Sequence, residues 1–204
     1  MLRFLHCADL HLDSPFAGLT PEQAASRRTL QRDLPRQIVR LANDHQCQLI
    51  LCSGDVFDHR QVCPETIRAL RDALEACPCP VLIAPGNHDP YGELSPWTAV
   101  RWPENVHLFH GPWESLEFPD LDCRVWGAGF TAAECYDPLP AVPEDGLMQL
   151  AVLHGDLQPG PYRYLSKEAI EGSHLDYLAL GHIHQTQLPR KLGSRVLWMW
   201  PRAR

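Results

Sequence analysis

An α/β fold with two packed sheets and helices outside is what this sequence predicts. Three observations carry it. Five apolar, strand-like runs, Leu2–Cys7, Gln48–Ser53, Pro80–Pro85, Gln149–Leu153 and Asp176–Leu180, each end directly in a polar cluster. In the first half of the chain these runs alternate with helical segments. In the second half, short strand-like runs are separated by Gly, Pro and Asp.

Leu2–Cys7 reads as a buried first strand, and Leu12–Thr20 as a loop with Pro15 and Gly18. Thr20 has the character of a helix N-cap, with Pro21 at the first helical position. A helical region runs on to about Asn43, and Pro35 within it predicts a kink or two shorter helices. Cys47–Ser53 is the second strand. Pro64–Ala76 is a helix with Ile67, Leu70 and Leu74 on one face. Val81–Ala84 is the third strand, and this β-α-β-α-β order implies a parallel sheet with right-handed crossovers. Val106–His110, Trp113–Phe118 and Cys123–Ala128 read as antiparallel strands of a second sheet. Pro138–Gly146 is a loop. Gln149–Leu153, Tyr177–Leu180, Thr186–Leu188 and Arg195–Trp200 supply further strands.

The chain has 204 residues, 45% of them hydrophobic and 21% charged. That length supports one sizeable core, so residues 1–204 are expected to form a single domain. The net charge of −7 argues against a passive nucleic-acid coat, which would be basic overall. It leaves a phosphate substrate open, because divalent cations reverse the local charge of a carboxylate-rich site. None of the eight cysteines forms a C-x-x-C pair, and Cys77-Pro78-Cys79 is too tight for the usual zinc spacing. Buried free thiols in a reducing cytosol are the expectation. Asp9 and Asp13 interrupt the N-terminus too early for a signal peptide. No apolar run approaches the ~20 residues of a membrane span. A soluble, cytoplasmic protein without membrane contact is therefore expected.

The polar clusters at the strand ends are Asp9-Leu10-His11, Gly54-Asp55-Val56-Phe57-Asp58, Gly86-Asn87-His88-Asp89, His154-Gly155-Asp156 and Gly181-His182-Ile183-His184. In open α/β sheets the carboxyl ends of the strands form the ligand-binding rim. Carboxylates offer oxygens that can bridge two cations, histidines offer neutral nitrogen, and Asn87 offers a carbonyl oxygen. A mixed nitrogen and oxygen set without thiolate suits Mn²⁺, Fe or Zn²⁺ better than Ca²⁺ or a structural zinc site. Two such cations, about 3.5–4 Å apart, clamp the attacking and leaving oxygens of an in-line displacement and lower the pKa of a shared water. A phosphate ester is the natural substrate.

In this order the five clusters resemble the motifs of the calcineurin-like metallophosphoesterases: D-x-H, G-D-x-x-D, G-N-H-[DE], H and G-H-x-H. Gly54–Asp58, Gly86–Pro90, Ser95-Pro96-Trp97, Trp102–Val106 and Gly181–Gln185 are similar to its DNA-repair exonuclease branch. The resemblance implies a four-layer α/β/β/α sandwich and two divalent metal ions, Mn²⁺ first and Fe or Zn²⁺ as alternatives. Asp9, His11 and His184 would hold the first metal and Asn87, His154 and His182 the second, with Asp55 bridging. A hydroxide shared by the metals would be the nucleophile. His88 would face the leaving oxygen, and Asp58 and Asp89 would fix ligands or orient His88. It further implies DNA as substrate, a homodimer through the Thr20–Asn43 region, and a coiled-coil ATPase as partner of full-length members. Their capping domain and docking segment would lie beyond Arg204, and Pro201-Arg202 replaces the usual Pro-Gly-Ser turn. The expectation is therefore a C-terminally short form without the capping domain. Small phosphate esters, such as cyclic nucleotides or dinucleotide polyphosphates, are the alternative substrates. A non-catalytic scaffold is disfavoured because His88 is present.

Other features have plainer readings. His6, His45, His59, His107, His110 and His174 are expected to be structural. Asp13 and Asp156 are left without a metal role. Arg28, Arg32, Arg36 and Arg40 recur every fourth residue, which predicts a solvated helix face rather than a phosphate-binding stripe. Trp97, Trp102 and Trp113 are expected in packing rather than base stacking.

Overall fold

A computed structural model of the chain describes residues 1–59, 61–184, 190–192 and 196–199. Among the described residues, ten strands form two sheets. The first contains β1 (Phe4–Cys7), β2 (Leu49–Cys52), β3 (Val81–Ile83) and β4 (Val106–Leu108), in that order and parallel throughout. The second runs β5 (Glu114–Phe118), β6 (Cys123–Ala128), β7 (Met148–His154), β8 (Tyr177–Gly181), β10 (Val196–Met199) and β9 (Arg190–Leu192).

Alternation along each strand explains why two sheets pack into layers. Leu49 and Leu51 of β2 and Leu82 of β3 meet Val125, Leu150, Val152 and Ala179 from the second sheet. The intervening Ile50, Cys52, Val81 and Ile83 face the other way, onto Val39, Ile67, Leu70 and Leu74 of the helices. Across the second sheet, Ala151, Leu153, Leu178 and Leu180 pack under Leu139, Val142, Leu165 and Ile170. Three apolar layers thus separate four layers of chain, the α/β/β/α arrangement expected. Burial on both faces makes β2, β7 and β8 continuous apolar runs, which is why they are readable in the sequence.

The helices follow their local signals. Thr20 caps α1 (Pro21–Gln31) through a reciprocal capping box with Gln23. The break near Pro35 yields two helices, since α2 spans Leu34–Asp44 with Pro35 in its first turn. Helix α3 spans Pro64–Glu75 and buries Ile67, Leu70 and Leu74 as predicted. A short α4 (Lys167–Glu171), capped by Ser166, is too brief to leave a periodic signal.

One expectation is corrected. Val106–Leu108 is not an antiparallel strand of the second sheet but pairs parallel with β3 in the first. Of the other two runs, β5 and β6 do pair antiparallel, while β6 pairs parallel with β7. Side-chain alternation reports burial and is blind to strand direction, so the loop Ala84–Asn105 gave no hint that it returns the chain for a parallel pairing. The expected strand Thr186–Leu188 and the tail Trp200–Arg204 lie outside the described residues. Among the described residues no helix is long and apolar enough to cross a membrane.

Candidate metal centre

Beyond the last residues of β1 and β2 the two segments stay side by side. The amides of Asp9, His11 and Leu12 donate to the carbonyls of Gly54 (3.0 Å), Asp55 (3.0 Å) and Val56 (2.8 Å), and the Asp58 amide donates back to Leu12 (3.0 Å). This ladder places Asp9, His11, Asp55 and Asp58 together. Asp9, His11, Asp55 and His182 all adopt positive φ, at 54°, 44°, 49° and 110°. Non-glycine residues are rarely found there, and such strain concentrates at functional sites.

Two glycines allow the approach. Gly54 has φ +79°, and a Cβ there would lie 2.7 Å from Nδ1 of His154. At Gly181 a Cβ would lie 1.9 Å from the Ser53 carbonyl oxygen. These close contacts bring the two sheets' strand ends within reach of each other.

The seven expected ligands form two groups sharing a wall, and Asp58 and His88 make a third with His11. Ligand atoms of Asp9, His11 and His184 lie within 4.8 Å of one another, as do those of Asp55, His154 and His182. Asn87 joins the second group, its Oδ1 lying 2.9 Å from His154 Nε2 and 3.2 Å from His182 Nδ1. Asp55 reaches both, with Oδ2 3.2 Å from His154 Nε2 and 3.8 Å from His11 Nε2. All seven residues expected as ligands therefore meet at one rim.

The supporting contacts fix ring orientations. His11 Nδ1 donates to the Asp58 carboxylate at 2.8 Å, leaving Nε2 to face His184 Nε2 at 2.9 Å. His154 Nδ1 donates to the Ser53 carbonyl at 2.9 Å. Phe130 packs edge-on against His154, and Tyr162 lies 4.9 Å from the His182 ring. Among the described residues no hydrogen bond joins the Asp89 carboxylate to the His88 ring. That carboxylate gathers the amides of Gly86, Asp55, Val56 and Phe57, at 2.7, 3.2, 2.9 and 3.2 Å, and so ties the third cluster to the second. His88 donates from Nδ1 to the backbone carbonyl of Asp58 at 2.9 Å, and its amide donates to Asp55 Oδ1 at 2.9 Å. Asp58 therefore orients His11 through its side chain and His88 through its backbone.

The electrostatics ask for cations. With His154 Nδ1 committed as a donor, its neutral form aims the Nε2 lone pair at oxygens of Asp55 and Asn87. Acceptors this close need positive charge between them. Burial opposes a charged ring, yet Asp55 and, behind it, Asp9 push His154 up to about 9. Burial also pushes the Asp9 carboxyl up to about 6, while it and the charged His154 bring His182 down to about 4. Burial alone would raise Asp55; His154 outweighs it and holds that carboxyl well below the usual range. A bound cation would take over the role of the His154 proton, so the donor set fits hard or borderline divalent metals.

A cleft of about 640 Å³ opens beside this rim, with Asp9, His11, His88 and His184 at one end and Leu34, Ile38 and Leu41 at the other. Residues 2–186 match the family model for calcineurin-like phosphoesterases. The chain belongs to that family. This calcineurin-like phosphoesterase chain is 32% identical over 204 residues to the uncharacterized metallophosphoesterase YhaO of Bacillus subtilis, covering 92% of this chain and 50% of the relative. It is 29% identical over 118 residues to SbcD, the D component of the SbcCD nuclease of the same organism, covering 54% of this chain and 28% of the relative. The chain thus spans half or less of the length of these curated relatives. These relatives support the branch of the family expected from the motifs. A crystal structure of a dimetal phosphatase from Danio rerio shares the fold, with a TM-score of 0.61 and 14% identity over 98% of this chain and 86% of that one.

Several contributors had no signature in the sequence. The Ser53 carbonyl orients His154, but every residue has a carbonyl. Asp13, left without a metal role, is buried and accepts from the Cys63 amide (2.7 Å) and the Thr66 hydroxyl (2.8 Å), with Arg32 at 3.4 Å. Arg32 thereby turns inward, so the four-residue arginine repeat does not form an exposed stripe. Trp97 and Trp102 pack on each other, and their indole N–H groups donate to the Asp89 and Trp97 carbonyls at 2.9 and 2.8 Å.

Proposed function

We infer that this chain is a phosphodiesterase dependent on two divalent cations, with DNA as substrate and Mn²⁺ as the best-suited metal. One observation carries the reading: two donor groups share Asp55, and His88 stands exposed at their edge. In this reading Asp9, His11 and His184 would hold one cation and Asn87, His154 and His182 the other, with Asp55 within reach of both groups. What bound cations supply there is Lewis-acid charge at the phosphoryl oxygens and a more acidic water. The chain's own residues do the rest. Asp58 and the Ser53 carbonyl keep the His11 and His154 rings turned so that Nε2 faces the site. His88, fixed through Nδ1, offers its other nitrogen to the leaving oxygen as general acid. The rim is open enough at His88 and His184 for a polymer backbone to cross it. The relative's name as a component of the SbcCD nuclease supports a nucleic acid over small diesters, and the expected setting is the cytoplasm.

Cleavage of linear DNA and of bis-p-nitrophenyl phosphate, with Mn²⁺ and with EDTA, tests the proposal. Metal-dependent cleavage of both supports it. Cleavage of the small diester alone would replace DNA with a small phosphate ester, and cleavage of neither would end the reading.

A further inference from the structure

Away from the metal centre, Cys77 and Cys79 flank Pro78 in the turn that joins α3 to β3. Both side chains are buried, and their sulfurs lie 3.6 Å apart. The turn is held in place from both sides. The Cys77 amide donates to the Leu74 carbonyl at 3.0 Å. The Asn105 side chain donates to the carbonyls of Leu74, Cys77 and Cys79 at 3.0, 2.9 and 3.4 Å. Residues two apart in a turn keep their Cα atoms within the roughly 7 Å beyond which no disulfide closes. Cys77 also lines a surface cavity of about 600 Å³, together with Arg71, Arg101, Trp102 and Asn105. Small oxidants therefore have a route to one of two sulfurs already in contact.

We propose that Cys77 and Cys79 form a peroxide-reactive dithiol that closes to an intrachain disulfide. The Cys77 thiolate attacks one oxygen of hydrogen peroxide. The O–O bond breaks, the other oxygen leaves as hydroxide and becomes water, and Cys77 becomes a sulfenic acid. The Cys79 sulfur then attacks the Cys77 sulfur; the S–S bond forms, and the sulfenic hydroxyl leaves as water with the Cys79 proton. Two thiols and one peroxide thus yield one disulfide and two waters. The direction of attack follows access, since Cys77 and not Cys79 lines the cavity, and the local hydrogen bonds favour the same thiolate. The Cys79 thiol and amide donate to the Cys77 sulfur and bring its pKa down to about 7, while the same pairing holds the Cys79 thiol well up. Cys63 is exposed, yet partial desolvation and the neighbouring Asp13 carboxylate push its thiol up.

The test is alkylation and peptide mass mapping of the reduced full chain after hydrogen peroxide treatment, a readout independent of hydrolysis. The peptide holding Cys77 and Cys79 should lose the mass of two hydrogens and stop taking label. The reaction should be about tenfold faster near pH 8 than near pH 6, the ratio of thiolate fractions for a group titrating at about 7. In Cys79→Ser the sulfenic acid should persist on Cys77 and react with dimedone. Both thiols still alkylatable after Cys63 has oxidised would overturn the proposal, as would the absence of dimedone from Cys77 in the Cys79→Ser chain.

Discussion

The two donor groups of the metal centre are built differently. Asp55 and His154 of one are 1% and 0% exposed, whereas the other ends in the exposed His184. The buried group is oriented by backbone, through the Ser53 carbonyl and the close pass at Gly54 and Gly181. The open group is oriented by a side chain, the Asp58 carboxylate. Where burial is complete, charges are poorly screened and each pKa moves far from its ordinary value. Where solvent enters, a hydrogen-bonded carboxylate suffices, and the substrate has room. Access is thus confined to the edge at His184, while Asp9 of the same group stays as buried as Asp55 and His154.

That contrast can be broken most severely at the shared wall. Asp55→Asn should reduce phosphoesterase activity by about 10³-fold or more, on the scale of losing a group aimed at developing charge, and should reduce metal content by elemental analysis. Retained metal stoichiometry would show that the two groups do not depend on Asp55. Next, His88→Asn should keep metal content while turnover falls about 10²-fold or more. Equal loss of metal would make His88 a ligand and not a leaving-group acid. Asp58→Asn should cost about 10–100-fold in metal affinity or activity, with calorimetric titration separating the open group's weakened site from an unchanged buried one.

The smallest effect is on pH-dependent stability. In the cation-free protein His154 titrates near 9, above its unfolded value of 6.5. Its stabilising contribution is therefore complete below about pH 6.5 and is lost as pH rises through about 9. Melting temperature should fall as pH rises across that window, and added divalent cation should flatten the slope. A slope unchanged by cation would mean that the metal does not replace the His154 proton.

Much of this was legible in the sequence because burial on both faces leaves long apolar runs. β2, β7 and β8 declared themselves, and polar residues at or just beyond their ends were the donors. Helix signals at Thr20, Pro21 and Pro64 were equally local and equally readable. Strand direction was not, since β4 looks the same whether paired parallel or antiparallel. Nor could the sequence show that Asp58 serves two histidines through different atoms, or that Asp89 works on four amides instead of on His88. Those facts depend on which loops meet, and on left-handed backbone at Asp9, His11 and Asp55 that residue identity does not demand.

The amide ladder running past the ends of β1 and β2 has a consequence for motion. Because Asp9, His11 and Leu12 are stitched to Gly54, Asp55 and Val56 as a strand would be, the rim has no hinge of its own. Its amides should exchange with deuterium almost as slowly as those of the sheet interior, and thermal loosening should reach the catalytic edge only when the barrier to melting the whole layer has been crossed.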